Sequence, residues 1–274
     1  MLNHSYIDRF FYLGDTMDKY LDLFKTYIDD NYDLNNPLTK EKYFHTLRVV
    51  NLMRDLVCRL DLSEDEKRIA IFISLFHDLG RFYEGKENKK FTNVNYDHAS
   101  VSNDILFKEG FIKNFPIKES EYEIIKKAIY YHNKFEIGDE LNPTEKLFAM
   151  YIRDVDKIDI LKVVSNHHYE FNVMPNQKIL DNFYNQEAID VRDIHSSSDS
   201  VVFYFSFYYQ LYTTEALDIL IERDYMNDFI YDVKVSKDDE VGKAYEDMVE
   251  RCVYDMAYNK IKYMKIWRGK LWKN

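Results

Sequence analysis

The residues of this chain best equipped for metal chemistry are His45, the adjacent pair His77-Asp78, and the aspartates of Arg153-Asp154-Val155-Asp156-Lys157. Each falls on or at the end of an apolar helical segment, where an uncompensated polar side chain is costly to bury. Imidazole nitrogen and carboxylate oxygen are the donors that borderline and hard divalent ions accept, so an ion held by side chains from three segments gives that placement a reason. His45 shares a helical face with Val49, Leu52 and Leu56; taken singly, a hydrogen-bonded core histidine fits as well. His77 and Asp78 stand roughly 100° apart around an ideal helix and converge on one ion most easily where the helix unwinds, an end that Gly80 provides. Asp156 lies on a stripe with Ala149, Ile152, Ile160 and Val163, and Asp154 on another with Leu147, Tyr151, Ile158 and Leu161. The two are about 200° apart, so at most one reaches a shared site, and periodicity does not choose between them.

His98, with Val101 and Ile105, and His132, with Ile124, Ala128 and Ile129, also point inward from helices between the HD pair and Asp156. On the residues alone they are two further donor candidates or merely hydrogen-bonded histidines; a second ion, or a substrate phosphate that they face as hydrogen-bond donors, is what a family resemblance implies for them. Three cations accompany the set: Arg48 one turn after His45, and Arg81 and Lys157 close behind ligands. Each can meet an anionic group at the site or form an ordinary salt bridge. His4, His167, His168 and His195 have no such neighbours and read as surface or core residues.

The elements that must position these residues are helical. A first helix is expected from about Ser5 to Tyr32, ended by Asn35-Asn36-Pro37, and a second from about Thr39 to Leu60, apolar on most sides as a central helix is. Ser63 with Glu66 forms a capping box that opens a third helix to His77, with Gly80 as its stop. Residues 80–97 lack helical periodicity and are expected to form a long loop of the kind that acts as a lid or binding segment. Asp97 caps a helix over 98–109, another spans 119–132, and Thr144 caps one running past Asp156 to Val164. Three more helices are expected beyond Asn176, including Ser200–Glu222 and Asp239–Lys265.

Composition sets bounds on the function. With 274 residues, 46% of them hydrophobic, the chain can bury a sizeable core, and 7 Gly with 4 Pro favour long helices over a turn-rich β-sandwich. The fold class expected is all-α. A net charge of -11 argues against an extended nucleic-acid footprint but leaves room for a short nucleotide in a locally basic pocket. Cys58 and Cys252 sit in amphipathic patterns and read as small buried apolar residues in a reducing cytoplasm. The aromatic run Val201–Tyr212 is about half a bilayer span, so a buried helix or a homo-oligomer contact is expected there, and no membrane segment.

His45-Thr46-Leu47-Arg48-Val49 and His77-Asp78-Leu79-Gly80-Arg81, followed by Asp156, resemble the HD-domain superfamily of metal-dependent phosphohydrolases, whose ordered signature is H, then HD, then D. The resemblance covers roughly residues 38–165. It implies a helical bundle, here with an N-terminal helix over 1–37, a core over 38–170 and an α-helical C-terminal extension over 171–274. It selects Asp156 over Asp154 as the last ligand, because a basic residue follows in a stretch like DxDKxD, and leaves Asp154 as a supporting or helix-orienting group. His45, His77, Asp78 and Asp156 would leave an octahedral ion two open positions, a catalytic arrangement unlike a closed structural zinc site. Asp97-His98-Ala99 and His132-Asn133-Lys134 resemble the second-ion histidines of family members with two metals, where the Asp of the HD pair bridges ions about 3.5 to 4 Å apart. The resemblance implies one or two divalent ions (Mn, Fe, Ni, Co or Mg) and hydrolysis of a small phosphorylated molecule, above all a nucleotide. Two rival readings are an HD-type di-iron oxygenase using all six ligands and a non-catalytic nucleotide-sensing or interaction module.

Overall fold

A computed structural model describes residues 14–86 and 97–271. The chain is helical, and it forms two compact units, residues 1–153 and 154–274, divided within a single helix. The expected start of the first helix at Ser5 and most of the expected loop over 80–97 lie outside the described residues.

In the first unit, α1 (Gly14–Asn31) is followed by α2 (Pro37–Arg59). Asn36 and Pro37 do more than end α1: the Asn36 side chain accepts from Leu38 N and Pro37 supplies the first helical residue, where its missing N–H costs nothing. α2 buries His45, Thr46, Val49, Val50, Leu52, Met53, Leu56 and Val57, as expected of a central helix. It packs against α3 (Glu64–Phe76), which opens on the expected capping box: Ser63 Oγ accepts from Glu66 N, and the Glu66 carboxylate accepts from Ser63 N at 2.8 Å. Replacing Ser63 with alanine removes one side of this exchange and should cost about 1 kcal/mol, measurable as a lowered denaturation midpoint at unchanged slope. The faces of α1 and α3 meet over Phe72, Phe76 and Phe115, with Tyr20 5.4 Å from the Phe72 ring centre.

Gly80 is not a helix stop. His77 and Asp78 form a turn, and α4 (Leu79–Lys86) starts directly after it, with Gly80 inside. A Cβ built on Gly80 would lie 2.2 Å from the backbone oxygen of His98, so this glycine serves close helix approach rather than termination. α5 (His98–Asn103) continues as a π-helical turn over Asp104–Lys108, shorter as an α-helix than expected, and Gly110 takes a left-handed φ of 84° before a 3₁₀ turn. α6 (Tyr122–Tyr131) follows a 3₁₀ turn at Glu119–Glu121. α7 (Pro143–Val164) is capped two residues earlier than expected: Asn142 Oδ1 accepts from Glu145 N and Glu145 Oε2 from Asn142 N, with Pro143 first in the helix, so Asn142 and not Thr144 is the cap.

The second unit contains α8 (Gln177–Tyr184), α9 (Ser197–Ser206), α10 (Thr214–Arg223), α11 (Tyr225–Asp232) and α12 (Asp239–Leu271). The single helix expected over Ser200–Glu222 is broken. A 3₁₀ turn at Phe207–Gln210 ends α9, and the amides of Tyr212 and Thr213 donate to the Asp154 carboxylate at 2.8 and 2.9 Å instead of continuing a helix. Two-residue parallel strands, β1 (Glu170–Phe171) and β2 (Lys234–Val235), are the strand structure among the described residues. Phe171, Phe205, Phe229 and Met248 form the core of this unit, with Val201, Val202, Phe207 and Tyr208 of the aromatic run buried too. Cys252 is fully buried and Cys58 partly so, both as free thiols. Among the described residues no helix is long and apolar enough to cross a membrane.

Candidate metal centre

Asp78 is the centre of the first unit's polar cluster. Its backbone sits at the break between α3 and α4, where a helix leaves amides and carbonyls without intrahelical partners. Ser102 closes that break: its Oγ accepts from Gly80 N at 2.8 Å and donates to His77 O at 2.9 Å. The turn so fixed leaves the Asp78 carboxylate 4% exposed between two pairs of histidines. Oδ2 lies 3.5 Å from His45 Nε2 and 3.8 Å from His77 Nε2, while Oδ1 lies 3.3 Å from His98 Nε2 and 3.5 Å from His132 Nε2. Within the pairs, the Nε2 atoms of His45 and His77 are 3.4 Å apart and those of His98 and His132 are 3.0 Å apart. One ligand atom each from Asp78, His98 and His132 falls within a 4.8 Å circle, close enough to share an ion.

Hydrogen bonds set which ring atoms face Asp78. His77 Nδ1 is 2.8 Å from Ser74 O and His132 Nδ1 is 2.6 Å from Ile129 O. A carbonyl can only accept, so each Nδ1 carries a proton and Nε2 is the atom each ring turns toward Asp78. A carboxylate and imidazole nitrogens at these distances are held together by protons or by metal ions lying among them. Burial holds the His98 imidazole well below its ordinary pKa, overcoming the attraction of Asp78 and aided by Arg81, His132 and Lys42. Burial opposes the charge on Asp78 too, but the Lys42 ammonium and the surrounding histidines hold its carboxyl well below the usual range. The cluster therefore offers one buried anion and four imidazole nitrogens, a donor set that fits a divalent metal.

Of the expected substrate cations, Arg81 is buried with Nε 3.9 Å from Asp78 Oδ1. Arg48 is partly exposed, with Nη2 3.1 Å from Glu41 Oε1. Lys157 is buried in the second unit, its Nζ 5.7 Å from the Tyr212 ring centre and 5.9 Å from that of Phe207. Lys42, which the sequence reading does not single out, stands one turn before His45 and places Nζ 3.4 Å from Asp78 Oδ2. Its spacing of three from His45 was the available signal. Asp97 was expected as a helix cap, but its side chain instead takes bonds from Lys134 Nζ at 2.7 Å, Ser100 Oγ at 2.6 Å and Asn133 Nδ2 at 3.2 Å.

The two aspartates of α7 differ in surroundings. Asp154 is fully buried and accepts from Tyr212 N, Thr213 N and Thr213 Oγ1 at 2.7 to 2.9 Å, which ties down the N-terminus of α10. Burial pushes its carboxyl up to about 6 against those bonds and Lys157, which favour the charged form. Asp156, partly buried, lies two residues further along the helix.

A model of the HD domain matches residues 43–195, more than half of the chain and an interval that contains all these histidines and aspartates. The chain belongs to the HD-domain family. No curated protein and no solved structure gives a match to it.

Proposed function

We propose that this protein is a metal-dependent phosphohydrolase that cleaves a phosphate ester or anhydride of a small molecule, above all a nucleotide. The observation that carries the reading is the single buried carboxylate of Asp78 with one oxygen toward His45 and His77 and the other toward His98 and His132. In this assignment His45, His77, Asp78 and Asp156 hold one ion, the last by the family's H, HD, D order, and Asp78, His98 and His132 hold a second. Bound ions at such a site supply Lewis-acid polarisation of a phosphoryl oxygen and lower the pKa of water. The protein's own part is to keep Asp78 ionised and the His98 imidazole neutral, and to bring Lys42 and Arg81 to the charge that builds on the phosphoryl group. Arg48 and Lys157 are assigned to the same phosphate, which requires them to turn from Glu41 and from the Tyr212 and Phe207 rings.

The test is a screen of the metal-supplemented protein against nucleotides and sugar phosphates, reading phosphate or pyrophosphate release. Release that a chelator abolishes and added metal restores supports the proposal. Oxygen consumption by an iron-loaded protein that releases no phosphate would favour a di-iron oxygenase, and metal uptake with neither activity a nucleotide-sensing module.

The choice within Asp154-Val155-Asp156 has its own test. Asp156→Asn should lower the bound-metal stoichiometry. Asp154→Asn should leave it intact but cost about 1–3 kcal/mol of stability, because an amide cannot accept from all three donors and sets its NH₂ against a backbone N–H. Metal loss confined to the Asp154 variant would reverse the assignment.

A further inference from the structure

We infer that Arg153 is a positioning residue for the second ion's ligands: its guanidinium, bound to the carbonyl end of α6, sets the turn over 131–135 so that His132 directly, and His98 through Asn133 and Lys134, stay aligned with Asp78. This rests on the two-ion reading proposed above and adds to it the group that builds one of the two half-sites.

The geometry has two parts. A helix ends with carbonyls that have no intrahelical partner and with the negative pole of its dipole, and α6 ends one residue before His132. Arg153, 7% exposed, meets that end: Nη1 donates to Tyr131 O at 2.8 Å, Lys134 O at 2.5 Å and His132 O at 3.4 Å, and Nη2 donates to Phe135 O at 3.2 Å. Four carbonyls within five residues are thus gathered on one planar, permanently charged group, which a lysine ammonium cannot match in reach or direction. The turn held this way then reaches back to α5. Asn133 Nδ2 lies 3.3 Å from His98 Nδ1 and donates to Asp97 Oδ1, while Lys134 Nζ binds Asp97 Oδ2, the residue just before His98. The two histidines on Oδ1 of Asp78 therefore depend on one turn and one guanidinium. The pair on Oδ2, His45 and His77, is carried by α2 and the end of α3, and the His77 ring is fixed by Ser74 O.

The experiment is a Mn²⁺ binding isotherm on the full chain, with hydrogen–deuterium exchange of segment 131–135, for wild type, Arg153→Lys, Asn133→Ala and Arg153→Met. Groups that orient metal ligands typically contribute 10–100-fold in affinity. Wild type should bind two ions. Arg153→Lys should bind the first with unchanged affinity and the second about 10–100-fold more weakly, with faster exchange in 131–135. Asn133→Ala, which leaves the guanidinium clamp in place, should weaken the same ion without speeding exchange at the Arg153-bound carbonyl turn, and keeps the test open if Arg153→Met does not fold. A purely structural role would lower the melting temperature and leave the two affinities in their wild-type ratio. Wild-type affinities for both ions in Arg153→Lys and Asn133→Ala, or an equal loss of both ions, overturns the inference alone. A wild type that binds fewer than two ions is seen before any variant is made, and overturns the two-ion reading together with the inference built on it.

Discussion

Asp78→Asn should release both ions and abolish hydrolysis while the helices stay folded. The carboxylate lies in contact range of both histidine pairs, and each of its oxygens faces imidazole nitrogens. Asparagine keeps one acceptor and turns an NH₂ toward the other pair, so whichever way the amide sits, one ion loses its anion and gains a repelled donor. The bridging charge is lost to both. Metal ions contribute several kcal/mol of transition-state stabilisation in reactions of this kind, and about 4 kcal/mol corresponds to ~10³ in rate. Elemental analysis of the purified variant, circular dichroism and phosphate release under saturating metal check the three parts of this expectation. Normal metal content with full activity would remove the basis of the metal-site proposal.

How far the sequence already showed this site depends on what kind of contact each residue makes. His45, His77, His98 and His132 were legible because each stands on or at the end of a helix with a clear apolar stripe, and a buried face narrows where a side chain can go. The helical class was legible for the same reason. Lys42 was not, since a lysine on an amphipathic helix reads as a solvated residue, and only folding reveals that its ammonium reaches Asp78 36 residues away. The break after Ser206 has a similar cause. Every residue from Val201 to Tyr212 suits a helix or a buried segment, but Asp154, some 58 residues earlier in the chain, takes the amides that would have continued it. The pairing of Glu170 with Lys234 is likewise non-local and has no periodic signature in two-residue strands. Local pattern recovers what a helix face decides, and misses what a single distant polar group decides.

Gly80 is the position where a misread local rule leads to a large expected effect. As a left-handed helix stop it would cost alanine about 1–2 kcal/mol, whereas inside α4 alanine carries a propensity gain of about 1 kcal/mol over glycine. The structure reverses that sign. The added Cβ would stand 2.2 Å from His98 O, 3.0 Å from His98 C and 3.1 Å from its Cα, and backbone in α5 cannot rotate aside as a flexible side chain does. Either α4 or α5 must shift, and a shift of α4 also pulls Gly80 N from Ser102 Oγ, which closes the turn beneath Asp78. Forced overpacking of this kind costs typically about 1–3 kcal/mol, and the backbone identity of the obstacle places Gly80→Ala at or above the upper end. Because the obstructing residue is His98 itself, metal affinity should fall along with stability, the ion held by His98 and His132 first. Gly242→Ala in α12 is the matched control: its nearest neighbour is Ser236 O at 3.6 Å, an ordinary contact, so the same substitution there should be neutral or stabilising. Thermal unfolding and metal titration of the two variants side by side separate helix propensity from close packing. Wild-type stability and metal binding in Gly80→Ala would show that α4 and α5 do not meet as closely as their backbones are placed.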